Sequence, residues 1–177
     1  MPPIESTQRG AFYAAVALVV FAAIWRVLEI QGNFSPVAAM ALFSGAAFKD
    51  RRWAYGLPLI AMALSDLYLG LHALLPLVYG CMALTTWLGS RLGARSRWLP
   101  IFGAGLASSL IFFVLTNFAV WLGGSMYPMT PQGLAQCFAL ALPFFQMTVL
   151  STALFSAVMF GVWKLVGFSQ SRGAQIA

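Results

Sequence analysis

Few side chains in this chain could do chemistry. There are two cysteines, Cys81 and Cys137, and one histidine, His72. The cysteines form no Cys-x-x-Cys pair. With a single histidine they are too few for a disulfide framework, a zinc site or a bis-histidine haem. A serine hydrolase needs a serine and a histidine within reach of each other, and His72 reads as a residue of a short loop. A metalloprotease needs clustered His and Glu ligands, which the chain lacks. Binding chemistry is better provided for. Asp66, Tyr79, Thr85, Asn117, Trp121 and Gln146 are polar or amphipathic residues set in long apolar runs. Cys81 joins them as a soft donor. A thiol among apolar groups is inert unless a metal binds it and removes its proton; its thiolate then suits a polarisable metal centre.

Each residue also has a plainer reading. Asp66 can cap a helix end or pair with Arg26 or His72. Asn117 can join two helices, and Tyr79, Trp121 and Tyr127 suit an aromatic belt at a membrane interface. Cys81 can be a small buried hydrophobe, and His72 a solvated loop residue. Arg26 and Glu29, three residues apart, can neutralise each other.

The elements that position these residues follow from composition. Of 177 residues, 61% are hydrophobic and 8% charged, whereas a soluble domain carries about 25% charged residues. Such a chain cannot cover a water-facing surface, which excludes a soluble enzyme and a nucleic-acid binder. Its net charge of +6 therefore belongs to the loops of a membrane protein. The expected fold class is an all-α integral membrane protein, a bundle of six transmembrane helices forming a single domain over 1–177. Cut at charged or Gly/Pro-rich breaks, the apolar runs are roughly 11–30, 34–48, 53–70, 73–91, 99–122 and 137–167. The first lacks a small-residue cleavage box and reads as a span, not a signal peptide. The second and third are short for a bilayer needing about 20 residues, and suit a bundle whose neighbours cover their ends. Pro143, near the start of the last run, predicts a kink or broken turn. Residues 123–136 read as a structured loop in which Thr130 caps a short helix beginning at Pro131.

Charge placement sets the orientation. Arg9, Lys49, Arg51, Arg52, Arg91, Arg95, Arg97, Lys164 and Arg172 fall at one end of the runs, and Arg26 alone at the other. This bias predicts a multi-pass protein of the cytoplasmic (inner) membrane with both termini cytoplasmic. The lipid bilayer is then its surroundings, and no nucleic acid is a partner. At about 1.5 Å per residue, Asp66 falls one turn below the outer surface, and Tyr79 and Cys81 roughly 10–12 Å below it. Asn117 and Trp121 share a face one turn apart, and Asn33, Ser35, Gln136, Cys137 and Gln146 fall in the same half. The polar groups thus converge on an outward-facing pocket with no polar path inward, which argues against a channel.

Several strings recur together: Asn33-Phe34-Ser35-Pro36 with Ala39 to Ala46, Ser65-Asp66 with Gly70 and His72, Thr116 to Trp121, Tyr127-Pro128-Met129-Thr130 with Gly133-Leu134, and Pro143-Phe144-Phe145. Over about 32–160 this set resembles small six-helix bacterial membrane proteins similar to the substrate-binding S-components of energy-coupling-factor vitamin transporters. Among these it is most similar to the solitary vitamin B12 transporters of the BtuM type. The resemblance implies a vitamin-sized ligand, cobalamin, carried as bound substrate with no other cofactor. It also implies cobalt ligation by Cys81 and removal of cyanide from cyanocobalamin, with Cys137 the competing cysteine. Asp66 looks like the pocket carboxylate, and Gln146 stands where a basic residue of the last span is expected. Tyr79, Thr85, Asn117 and Trp121 would hold the corrin, under a lid formed by 123–136. An energising ATPase module stays open as a partner; Ala11 and Ala15 give it a small-xxx-small pair, though such pairs are common. Another vitamin, a modified-base precursor, or a non-transporting assembly role are the alternatives.

Overall fold

The computed structural model describes residues 4–28, 34–93 and 96–176, with side chains for 12–28, 34–93 and 96–166. Glu29, Asn33 and Arg95 lie outside the described residues, and Arg9, Ala11 and Arg172 outside the described side chains. The described chain is all helical, with six helices: α1 (Ile4–Leu28), α2 (Val37–Ala47), α3 (Arg51–Leu69), α4 (Leu75–Ser90), α5 (Trp98–Leu122) and α6 (Pro131–Ile176). Two of them, Trp98–Leu122 and the Pro131–Val166 part of α6, are long and apolar enough to cross a membrane.

Helix starts follow local chemistry. Asp50 caps α3 by accepting from the Arg52 N–H at 2.9 Å, satisfying one of the orphan donors of the first turn. Pro76 lies in the first turn of α4, where its missing N–H costs nothing. Thr130 accepts from the Gly133 N–H at 3.1 Å and Pro131 opens the helix, as expected. That helix, however, is α6 itself. It runs unbroken through Pro143, so the expected break is absent and the loop before it spans 123–130. Trp121 ties this loop down by donating from Nε1 to the Pro128 carbonyl at 3.1 Å.

Helix α2 is the centre of the molecule. It has 11 residues, about 16 Å at 1.5 Å per residue, and is apolar on every face, the mark of a helix buried all round. The other five helices all pack against it, and Met40, Ala41, Leu42, Phe43 and Ser44 are buried. Against α4 it approaches to backbone contact. A Cβ on Gly45 would lie 2.0 Å from the Thr86 carbonyl oxygen, and one on Gly89 2.1 Å from that of Leu42; only glycine fits at this crossing. Against α3 it repairs a defect. Pro58, buried inside α3, has no N–H to give to the carbonyl four residues earlier. Ser44 Oγ of α2 donates to that carbonyl, of Ala54, at 2.9 Å.

The outer faces are apolar. Ile24, Ile60, Leu64, Leu67, Leu106 and Leu150, drawn from α1, α3, α5 and α6, are each more than half exposed. An apolar exterior on several sides is the surface of a protein bathed in lipid. One end of the bundle is basic. Lys49, Arg51 and Arg52 are exposed at the α2–α3 corner, Arg91 lies 4.4 Å from the Trp87 ring, and Lys164 3.8 Å from that of Trp98. Cations over indole faces hold such side chains at an interface.

Candidate functional site

At the end of the bundle away from these basic residues, the helices enclose a cavity of about 380 Å³. Every helix supplies part of its wall. Trp25 and Arg26 come from the last turn of α1, and Val37 and Ala38 from the start of α2. Cys81, Met82 and Thr85 come from α4. The α5 side carries Ser108, Phe112 and Thr116, and α6 contributes Thr148. The wall is mainly apolar, with a few polar groups that would fix orientation, the usual make-up of a small-molecule site.

Cys81 is buried, at 4% exposure, on this wall. Thr85, one turn on, shares its face and donates to the Cys81 carbonyl at 2.9 Å, leaving the threonine oxygen as an acceptor. Cys137, also buried, is not part of the wall. Its Sγ approaches the Asn117 carbonyl at 3.4 Å, joining α6 to α5. Of the two thiols, then, Cys81 is the one a ligand can meet.

Asp66 is 2% exposed and does not face the cavity. Its Oδ1 accepts from Arg26 at 2.5 Å and its Oδ2 from the Tyr79 hydroxyl at 2.7 Å. Arg26 also donates to Ser65 Oγ. A buried carboxylate must be paired and hydrogen-bonded to be tolerable, and this one has both oxygens engaged. Asp66, paired with Arg26 and hydrogen-bonded by Tyr79, joins α1, α3 and α4 behind the wall, and Arg26 is the member of the group that reaches the cavity.

The remaining expected contacts lie elsewhere. Asn117 is not on the wall; its Nδ2 donates to the Phe113 carbonyl one turn back, at 2.8 Å. Trp121 is engaged by the 123–130 loop, and Gln146 is exposed on α6. All three share the cavity half of the bundle, but depth does not say which way a side chain turns on a helix apolar all round. His72 is an exposed loop residue, as read from the sequence, and it also lines the cavity, as do Phe34 and Ser35 before α2. A usable signal was present for Arg26: it is the lone basic residue at this end, where an unneeded charge is costly.

The chain matches, over residues 6–175, the model of a family of unknown function (DUF6580), and it belongs to that family. No curated protein and no solved structure matches it.

Proposed function

We propose that this DUF6580 member is a vitamin-uptake protein of S-component type. In this reading it crosses the cytoplasmic membrane six times, with both termini inside and the cavity open to the outside. Cobalamin is the first candidate cargo. Support for the orientation comes from the separation of the basic end from the cavity end, and support for lipid on all sides from the exposed apolar faces. Helix α2, too short to cross alone, is shielded from lipid by its five neighbours.

The observation that carries the reading is the place of Cys81, a thiol on the wall of the cavity whose sulfur has no hydrogen-bond partner among the described residues. On binding, the Cys81 sulfur would lose its proton to solvent and donate an electron pair to the corrin cobalt. The sulfur would take the place of the nucleotide base on the cobalt, and its strong donation would weaken the cobalt–cyanide bond, so that cyanide could leave to solvent as the anion. A corrin with its amide arms exceeds the cavity, so its edge would rest in the mouth, beside His72. The volume of about 380 Å³, at the lower end of small-molecule pockets, favours a smaller vitamin as the second reading.

The test is the visible spectrum of protein purified with cyanocobalamin. The wild type should retain the corrin with shifted bands. Cys81→Ser should lose both the shift and cyanide release, because a hydroxyl is a much weaker donor. Cys137→Ser should lose neither. Retention of the shift in the Cys81 variant removes the ligand assignment, and a wild type that holds no corrin removes cobalamin as the cargo.

A further inference from the structure

Three sources of hydrogen-bond donors border the same cavity, with no acceptor shared between them among the described residues. Arg26 reaches the wall from the last turn of α1 with 16% of its side chain exposed. Ser35 stands on the same wall, and its Oγ is buried without a hydrogen-bond partner among the described residues. An orphaned buried hydroxyl costs free energy unless something in the cavity completes it. Directly after it, α2 opens on the cavity at Val37 and Ala38, and among the described residues no side chain caps its first turn. The N–H groups of an uncapped helix start attract an oxygen acceptor.

From this convergence we infer that Arg26, Ser35 and the first turn of α2 form a subsite for a neutral oxygen acceptor, the carbonyl of a carboxamide. The choice of a neutral group rests on charge. Asp66, 2.5 Å from Arg26, cancels the guanidinium, so a carboxylate entering beside it meets hydrogen-bond donors but little net positive charge. A carboxamide takes the same hydrogen bonds with far less desolvation to overcome. Asp66 and Tyr79 act here as positioning residues: the carboxylate holds the guanidinium at the wall and the tyrosine holds the carboxylate. The subsite deepens the uptake reading, since it states which ligand chemistry the cavity selects, and it is testable without any corrin.

Nicotinamide and nicotinate are matched probes that the cavity can contain. Cys81 lies on the same wall, so occupancy slows its alkylation by N-ethylmaleimide, read by mass spectrometry in a Cys137→Ser background. Nicotinamide should protect Cys81 at concentrations about tenfold below those nicotinate needs. Ser35→Ala leaves the ion pair untouched and should weaken the amide's protection by about three- to tenfold, the worth of one hydrogen bond. Arg26→Lys keeps the charge opposite Asp66 and loses the guanidinium fork, and should remove most of the preference for the amide. Equal protection by the two probes, no protection by either, or a preference unchanged in both variants would overturn the subsite. A cyanocobalamin titration of the same samples separates this from the question of cargo. A Cys81-dependent band shift without any amide preference leaves the cobalamin reading standing and removes the subsite; an amide preference without corrin binding does the reverse.

Discussion

Asp66→Asn isolates the interaction on which the site's architecture rests. The substitution keeps size and shape but replaces an acceptor oxygen with an NH₂ group, which then faces either the Arg26 guanidinium or the Tyr79 hydroxyl. Both neighbours are donors to the native carboxylate. Removing one member of a buried ion pair costs about 3–5 kcal/mol, because the other charge is left uncompensated. Arg26 is 16% exposed at the cavity wall, so water there recovers part of that cost and about 2–3 kcal/mol is expected. For a chain of this length each kcal/mol moves the midpoint by about 2–4 °C, giving a fall of about 5–10 °C. The assay is thermal unfolding of the detergent-solubilised protein, at one scan rate because such transitions are often irreversible. Arg26→Gln and the double variant complete a cycle, and the double variant should be less destabilised than the sum of the singles by at least about 1 kcal/mol. A midpoint within about 1 °C of wild type for Asp66→Asn, or additive effects, would refute the argument that the carboxylate holds the guanidinium in place.

Three other outcomes follow from the packing. Gly89→Ala should cost about 3 kcal/mol, the upper range for overpacking, since its Cβ would lie 2.1 Å from the Leu42 carbonyl; a normal yield of monodisperse protein would refute the α2–α4 contact. Ser44→Ala should cost about 1–3 kcal/mol by stranding the Ala54 carbonyl. Adding Pro58→Ala, which restores a helical N–H for that carbonyl, should recover much of the loss; no recovery in the melting midpoint would show that the serine does not serve this role. Cys81 lines the cavity, so topology is read from single cysteines introduced in a background lacking both native thiols (Cys81→Ser, Cys137→Ser). Met126→Cys, in the loop before α6, should react with an impermeant maleimide, and Gly93→Cys, after α4, only once the membrane is opened. The reverse pattern would invert the proposed orientation.

Composition and charge placement by themselves determine much about this protein. The apolar bias makes every long run a helix, and the six expected runs correspond to the six helices with shifts of a few residues at most boundaries. Asp50, Pro76 and Thr130–Pro131 mark helix starts because capping is a local interaction of adjacent residues. The basic cluster, read from the sequence, does gather at one end of the bundle, since charge avoids an apolar interior wherever the chain runs. Cys81 and Thr85 share a face because they are four residues apart on one helix. Rotation about a helix axis is a different matter. Helices α2, α4 and α5 are apolar all round, so periodicity marks no inner side, and only packing decided that Cys81 faces the cavity while Asn117 satisfies its own helix. Pairings across 40 residues can be named but not chosen in a linear reading: Arg26 and His72 both stood as partners for Asp66, and the fold selects Arg26. Arg26 meets Asp66 because α1 and α3 lie side by side. Ser44 finds the carbonyl freed by Pro58 because two glycines let α2 sink into the centre of the bundle. Helix content is set by local propensity and by the need to satisfy backbone groups within each segment. The site is set by how five helices close around the shortest one.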